Sequence, residues 1–244
     1  MGRPAPIAPV ATRDLVPLVG RGAEVALLER FLTSAADPPV LLLVGDPGIG
    51  KTRLLQTAAA RAVTGGWAVL AGGCQRRGGQ APYAPLLDAL ARHLHAARPE
   101  RLRDALAGCA WLARLLPGFA PVLEPPPPGA LSPEQERRLM FAAVGRLLSN
   151  VAGPAGTLLV LDDLQWAGPD ALDVLSALVH APLSPLGYGE VGAGAGLDGN
   201  AGGGGGAGGG PLRVVGAYRD TEVGPADPLG LLAADLAQAR LLRQ

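Results

Sequence analysis

The run Gly45-Asp46-Pro47-Gly48-Ile49-Gly50-Lys51-Thr52 has the spacing G-x-x-x-x-G-K-[ST], in which each residue type answers to a phosphate group. Glycines let the backbone curl until successive N–H groups face an anion, and a helix opening at the lysine adds the positive end of its dipole. Lys51 is the only lysine in the chain, every other basic residue being arginine. A compact ammonium on a slim stem enters a phosphate cradle that a planar guanidinium would not fit. The guest such a loop suits is a triphosphate. The plainer reading, a glycine-rich turn that merely caps a helix, loses ground to what lies downstream.

Downstream, Thr157-Leu158-Leu159-Val160-Leu161 runs into Asp162 and Asp163. An unbroken apolar run denotes a strand buried on both faces, as in a parallel sheet, and the carboxyl ends of such strands are where open α/β sheets bind ligands. With a phosphate loop, Thr52 is expected to hold Mg2+ through its hydroxyl and Asp162 through a water. Asp163 is expected to orient or deprotonate an attacking water. Leu212 to Asp220 reads as a further strand ending in charge, so Arg219 is placed to sense or neutralise a γ-phosphate. The strand carrying Asp162 is expected beside the one feeding the loop. The bland alternatives are a helix-capping pair for Asp162-Asp163 and a solvated strand end for Arg219.

These groups need a scaffold. Val40 to Val44 is the strand before the loop, and a helix over 51–64 has Leu54, Leu55, Ala58, Ala59 and Ala62 on its inner side. An earlier helix carries Val25, Leu28, Phe31 and Leu32 and ends by Asp37-Pro38-Pro39. Trp67 to Leu70 is a second strand, 83–117 holds two or three helices, and Pro125 to Pro128 is a stiff spacer. Ser132, Pro133 and Gln135 give a capping box at the next helix start. Helices over 169–180 and 229–242 complete the pattern. Alternating strands and helices predict an α/β fold, a P-loop NTPase with three α/β/α layers around a mostly parallel sheet.

Composition limits the rest. The chain has 244 residues, zero net charge and no run of basic residues, so nothing points to direct nucleic-acid binding. Cys74 and Cys109 lack metal or redox spacing and are expected as small buried hydrophobes in a reduced compartment. No stretch approaches the ~18 apolar residues of a membrane span, and no leader is apparent, so a cytoplasmic location is expected. Residues 1–17, with their prolines, read as a loose tail. In 187–210 glycine fills 14 of 24 positions, which predicts a disordered insertion in one domain spanning 18–244. A guanine-specific site is excluded, because N-K-x-D needs a second lysine.

Several separated segments agree in order with one family. Leu18-Val19-Gly20-Arg21 with Glu24, Gly45 to Thr52 with Arg53-Leu54-Leu55, and Pro82-Tyr83-Ala84-Pro85-Leu86 are the first three. Leu158 to Trp166, and Val214 to Asp220 with Glu222, are the others. Together the chain resembles the ATPase module of the AAA-type signal-transduction ATPases with numerous domains, as in large LuxR-type bacterial transcriptional regulators. The resemblance implies ATP and Mg2+ as ligands and puts Gly20 and Arg21 on the adenine side. It also implies Asp162 as the magnesium-side acid, Asp163 as the residue that polarises water, and Arg219 as the strand-end sensor. Gly168 stands where the family commonly has an acid, the glycine tract is foreign to the pattern, and the sequence ends at Gln244, before the expected helical lid and effector domain.

The leading expectation is an ATP-binding module, a slow Mg-dependent ATPase used as a nucleotide switch that packs against other domains or copies of its own family. The alternative is a non-catalytic regulatory or interaction fragment of a longer protein. A small-molecule phosphotransferase would need lid arginines, for which Arg76 and Arg77 are the candidates.

Overall fold

The computed structural model describes residues 20–74, 82–126, 128–180 and 210–244. Within them β1 (Val40–Val44), β2 (Trp67–Gly73), β3 (Gly156–Asp162), β4 (Leu212–Tyr218) and β5 (Leu242–Arg243) form one sheet in the order β2-β3-β4-β1-β5. All four strand pairings are parallel. The expected α/β class and P-loop type of sheet are therefore present. One expectation needs correcting: β3, which carries Asp162, does not neighbour β1, because β4 lies between them.

The two faces of the sheet bury different helices. On one face α1 (Gly22–Thr33) and α2 (Lys51–Thr64) pack Leu28, Phe31, Leu54, Leu55, Ala58, Ala59 and Ala62 against Leu41, Leu158, Val160, Val215 and Ala217. The other face packs Leu42, Leu70, Leu159, Leu161 and Val214 against five helices. These are α3 (Ala84–Ala96), α4 (Pro99–Leu106), α5 (Pro133–Asn150), α6 (Pro169–His180) and α7 (Pro228–Gln238). Leu158 and Leu159 thus enter opposite cores, which is why β3 shows no polar alternation. Each fully buried leucine contributes on the order of 2 kcal/mol, so the two sides together clamp β3 and its terminal acids in place.

Among the glycines that permit close approaches, Gly72 and Gly216 matter most to the sheet's acid-bearing end. A side chain at Gly72 would meet the Pro85 carbonyl oxygen at 2.3 Å, so glycine lets the start of α3 lie against β2. At Gly216, in central β4, an added Cβ would fall 2.4 Å from Leu164 Cδ1 and 2.9 Å from Leu42 Cδ2. The absence of a side chain there makes room for Leu164, which anchors the turn after Asp162 and Asp163.

The helix start at Ser132 is as predicted: the Gln135 N–H donates to Ser132 Oγ at 3.2 Å, and the Ser132 N–H donates to Gln135 Oε1 at 2.9 Å. The 83–117 region holds two α-helices, within the two or three expected, after which Gly108, at φ +70°, turns the chain into short 3₁₀ turns at Ala110–Arg114 and Pro117–Phe119. Two boundaries differ from the sequence reading. The second strand runs on to Gly73, paired along its length with β3. The last helix stops at Gln238 instead of reaching residue 242. Arg240 takes φ +59°, its N–H donates to the Ala237 carbonyl and that of Leu241 to the Leu236 carbonyl. This closure, in which a left-handed residue satisfies the last carbonyls, releases Leu242–Arg243 to pair with β1. The tail over 1–17 and 187–209 of the glycine tract lie outside the described residues, as do Arg76 and Arg77. Among the described residues no helix is long and apolar enough to cross a membrane.

Candidate functional site

The phosphate loop joins the end of β1 to the start of α2 and takes its shape from three glycines. Gly45, Gly48 and Gly50 have φ of +151°, +79° and +100°. At Gly48 and Gly50 a Cβ would meet nothing within 4 Å, so conformation, not crowding, demands glycine there. Gly50 caps α2 without a side-chain hydrogen bond, and the first turn of that helix contains no acid. Its first N–H groups, unpaired within the helix, and the dipole behind them make an anion-attracting end.

Lys51 Nζ donates to the carbonyl oxygens of Gly45 at 2.7 Å and Asp46 at 2.9 Å. The ammonium thus braces the loop from inside its curve, while Asp46, Pro47, Gly48 and Ile49 are exposed. A second cation reaches the loop from α1. Arg21 donates from Nη2 to the Ile49 carbonyl at 2.9 Å and from Nη1 to Glu24 at 2.6 Å, which holds the Glu24 carboxyl below its ordinary value. Gly20, at φ +75°, turns the chain into this helix.

The acids come from the carboxyl end of β3. Thr52 Oγ1 donates to Asp162 Oδ2 at 2.6 Å, joining residues 110 positions apart across the end of β4. Asp162 is buried, and burial first, then the carboxylate of Asp163, push its carboxyl above the usual range, against the Thr52 hydrogen bond. Its other oxygen, Oδ1, accepts the Asp163 N–H at 2.9 Å. Asp163 itself takes φ +55°, a left-handed conformation uncommon for a residue with a side chain. It begins the short turn Leu164–Trp166 but makes no side-chain cap there, contrary to the helix-capping alternative. Its Oδ1 instead accepts from Gln165 Nε2 at 3.0 Å and lies 3.7 Å from Arg219 Nη2.

Arg219, following β4, also donates from Nη1 to Glu222 at 2.9 Å, and its backbone N–H donates to Gln165 Oε1 at 3.2 Å. The guanidinium is therefore engaged rather than simply solvated, with its closer contact on Glu222. At the end of β2, beside these acids, the buried Cys74 thiol is pushed up to about 12 by burial and by Asp163 and Asp162, and it stays protonated. Cys109 is buried as well, and both are free thiols.

The residues singled out in the sequence thus converge on one edge of the sheet: Arg21, the loop from Gly45 to Thr52, Asp162, Asp163 and Arg219. Gln165 and Glu222, which lie within the segments that carry the family resemblance, join them as contacts of Asp163 and Arg219. The signal that could have found Gln165 is a side chain with one donor and one acceptor, two residues after an acid at a strand end.

The donor set suits Mg2+. The Thr52 hydroxyl proton is committed to Asp162, which leaves its lone pairs available to a cation, and both residues offer hard oxygens. Among the described residues no three His, Cys, Asp or Glu side chains gather as a metal cage. Two oxygens from the protein, completed by phosphate and water, is the manner in which Mg2+ is commonly held.

Comparison with solved structures finds a protein titled as a DNA replication initiation factor, at 14% identity and TM-score 0.42, over 96% of this chain and 48% of that one. The chain spans about half the length of that structure. No curated protein matches. The family model of the AAA ATPase domain matches residues 17–187, which include the phosphate loop, the Thr52–Asp162 contact and Asp163, and on that match the chain belongs to the AAA ATPase domain family.

Proposed function

We propose that this chain binds Mg-ATP and hydrolyses it slowly, using the bound nucleotide as a switch. The observation that carries the reading is the 2.6 Å contact of Thr52 with Asp162 beside a lysine-braced loop. It joins a phosphate cradle to an acid in the arrangement that an Mg-nucleotide requires. Thr52 would hold the ion directly and Asp162 through water; bound there, Mg2+ would neutralise charge on the β- and γ-phosphate oxygens.

Lys51 has three N–H bonds, two of them given to loop carbonyls, and the third is assigned to a phosphate oxygen. Arg21 and Gly20, at the outer side of the loop, are assigned to the base side of the nucleotide. Among the described residues both polar contacts of the Asp163 carboxylate fall on Oδ1, so Oδ2 is assigned to the water. The water oxygen attacks the γ-phosphorus as its proton passes to Asp163. The bond from that phosphorus to the β–γ bridging oxygen breaks, and ADP leaves with the electron pair. Arg219 would offset charge on the γ-phosphate oxygens. Its pairing with Glu222 draws it away from that task, which supports slow turnover.

A place in a cytoplasmic multidomain signalling or transcriptional regulator fits the motif order, with residues 18–244 as one ATPase unit, 187–210 as an insertion, and other domains or copies as partners. The test is Mg-ATP binding and phosphate release for wild type, Lys51→Ala and Asp163→Asn. Lys51→Ala should weaken binding more than about a hundredfold. Asp163→Asn should bind as wild type does and lose about a hundredfold or more in phosphate release, the scale of a lost general base. Equal binding by all three would remove this site from the nucleotide reading.

A further inference from the structure

The turn after β3 contains one side chain that joins two strands' ends by both of its polar atoms. Gln165 donates from Nε2 to Asp163 Oδ1 at 3.0 Å, and its Oε1 accepts the Arg219 N–H at 3.2 Å. The amide's orientation is settled by its partners, since a carboxylate only accepts and a backbone N–H only donates. The side chain is half-buried, and the next residue back, Leu164, is sealed over Gly216 in β4. The turn therefore has little freedom to adjust if either contact is lost.

These two bonds complete a continuous chain. Thr52 donates to Asp162, Asp162 accepts the Asp163 N–H, Asp163 accepts from Gln165, Gln165 accepts from Arg219, and Arg219 donates to Glu222. Four elements, α2, β3, the turn after it and β4, are linked without a gap. Asp163 stands at a left-handed φ, and the Gln165 amide is the neutral donor that holds its Oδ1.

We propose that Gln165 is the positioning residue of this site. It orients the Asp163 carboxylate toward water and ties that orientation to the backbone at Arg219, so that the acid and the strand-end arginine move as a unit. This rests on the ATPase reading given above and adds to it a residue that acts through Asp163 and Arg219. Three replacements each lose part of the bridge: asparagine is one methylene short, methionine has neither bond, and glutamate can accept from Arg219 but sets a second carboxylate against Asp163.

Glutamate and methionine therefore separate the two ends of the bridge. The experiment compares wild type, Gln165→Glu, Gln165→Met, Asp163→Asn and Lys51→Ala at pH 8. It measures Mg-ATP affinity, kcat and KM for phosphate release, and amide hydrogen exchange at Arg219 in protein without nucleotide. In Gln165→Met the Arg219 amide should exchange about tenfold faster, the scale of one lost hydrogen bond. In Gln165→Glu its exchange should stay within about threefold of wild type. Both variants should lose about tenfold to a hundredfold in kcat, as a misplaced reacting group does, with KM and affinity within about threefold. A general loss of packing would instead shift KM, affinity and exchange at many amides together, and that result would overturn the assignment. Wild-type kcat in both variants while Asp163→Asn is inactive would overturn it and leave the ATPase reading standing. Unchanged Arg219 exchange in Gln165→Met would remove the bridge. Phosphate release by wild type no greater than by Lys51→Ala would overturn both readings.

Discussion

The phosphate loop and the acidic edge lie at the same end of the sheet and are built from opposite materials. The loop is eight consecutive residues, mostly exposed; its backbone carbonyls accept from Lys51 and Arg21, and Thr52 alone reaches across to the acids. The acidic edge gathers Asp162, Asp163, Gln165 and Arg219 from two strand ends, half-buried or buried, and its contacts run through side chains. A site made of backbone depends on φ and ψ at a few positions. A site made of side chains depends on how the strands beneath it are packed. The loop should therefore fail by conformational strain and lose affinity, whereas the edge should fail by displacement and lose rate.

The sharpest break of that contrast is Gly50→Ala. Gly50 holds φ +100° in open space, so alanine meets no atom and acts through the backbone alone. Strain of about 1–3 kcal/mol at that position should uncurl the cradle and weaken nucleotide binding by roughly tenfold to a hundredfold in equilibrium titration. An affinity within twofold of wild type would refute the view that the loop binds through its backbone shape.

Next in size is Gly216→Ala. The new methyl group would collide with Leu164 Cδ1, and Leu164, 2% exposed, is confined where it lies. Overpacking of about 1–3 kcal/mol should lower the thermal midpoint and shift the turn that carries Asp163 and Gln165. The expected result is about a tenfold fall in kcat with nucleotide affinity within threefold, the reverse of the Gly50 variant. Loss of affinity instead would show that the two regions are not separable.

The smallest effect lies on the sheet's far edge. His93, on α3, is partly buried, and burial holds its imidazole below the ordinary 6.5, opposed by a hydrogen bond with the Val69 backbone. A histidine whose folded value is lowered takes up its proton more readily when unfolded. Its neutral form thus supports the fold above pH 6.5, and that support drains away as the pH falls below it. Urea unfolding at pH 7 and pH 5 should show a steeper loss for wild type than for His93→Leu. Parallel losses would exclude His93 as a source of acid sensitivity, while nucleotide affinity at pH 7 should be alike in the two.

Much of this was legible in the sequence because the signals are local. Leu54, Leu55, Ala58, Ala59 and Ala62 form the buried stripe of α2 as their spacing predicts, and the capping box at Ser132 needs only three residues to declare itself. Other features depend on distant partners. That β4 intervenes between β1 and β3 is a matter of which strands pair, and the apolar composition of all three is alike. The early end of α7 arises where Arg240 turns left-handed and Leu242 finds a place beside Val40, a contact across the molecule. Gln165 gains its role only when β4 brings Arg219 to it, 54 positions along the chain.

The amino-acid sequence alone determined the phosphate cradle, since three glycines, one ammonium and a helix start are bound to each other by eight positions of chain. The tertiary structure alone decided what faces that cradle. Packing of two apolar layers against β3 and β4 sets Asp162 within hydrogen-bonding distance of Thr52 and lines Asp163, Gln165 and Arg219 along one edge. Residues more than a hundred positions apart meet only when the sheet that carries them has chosen its order.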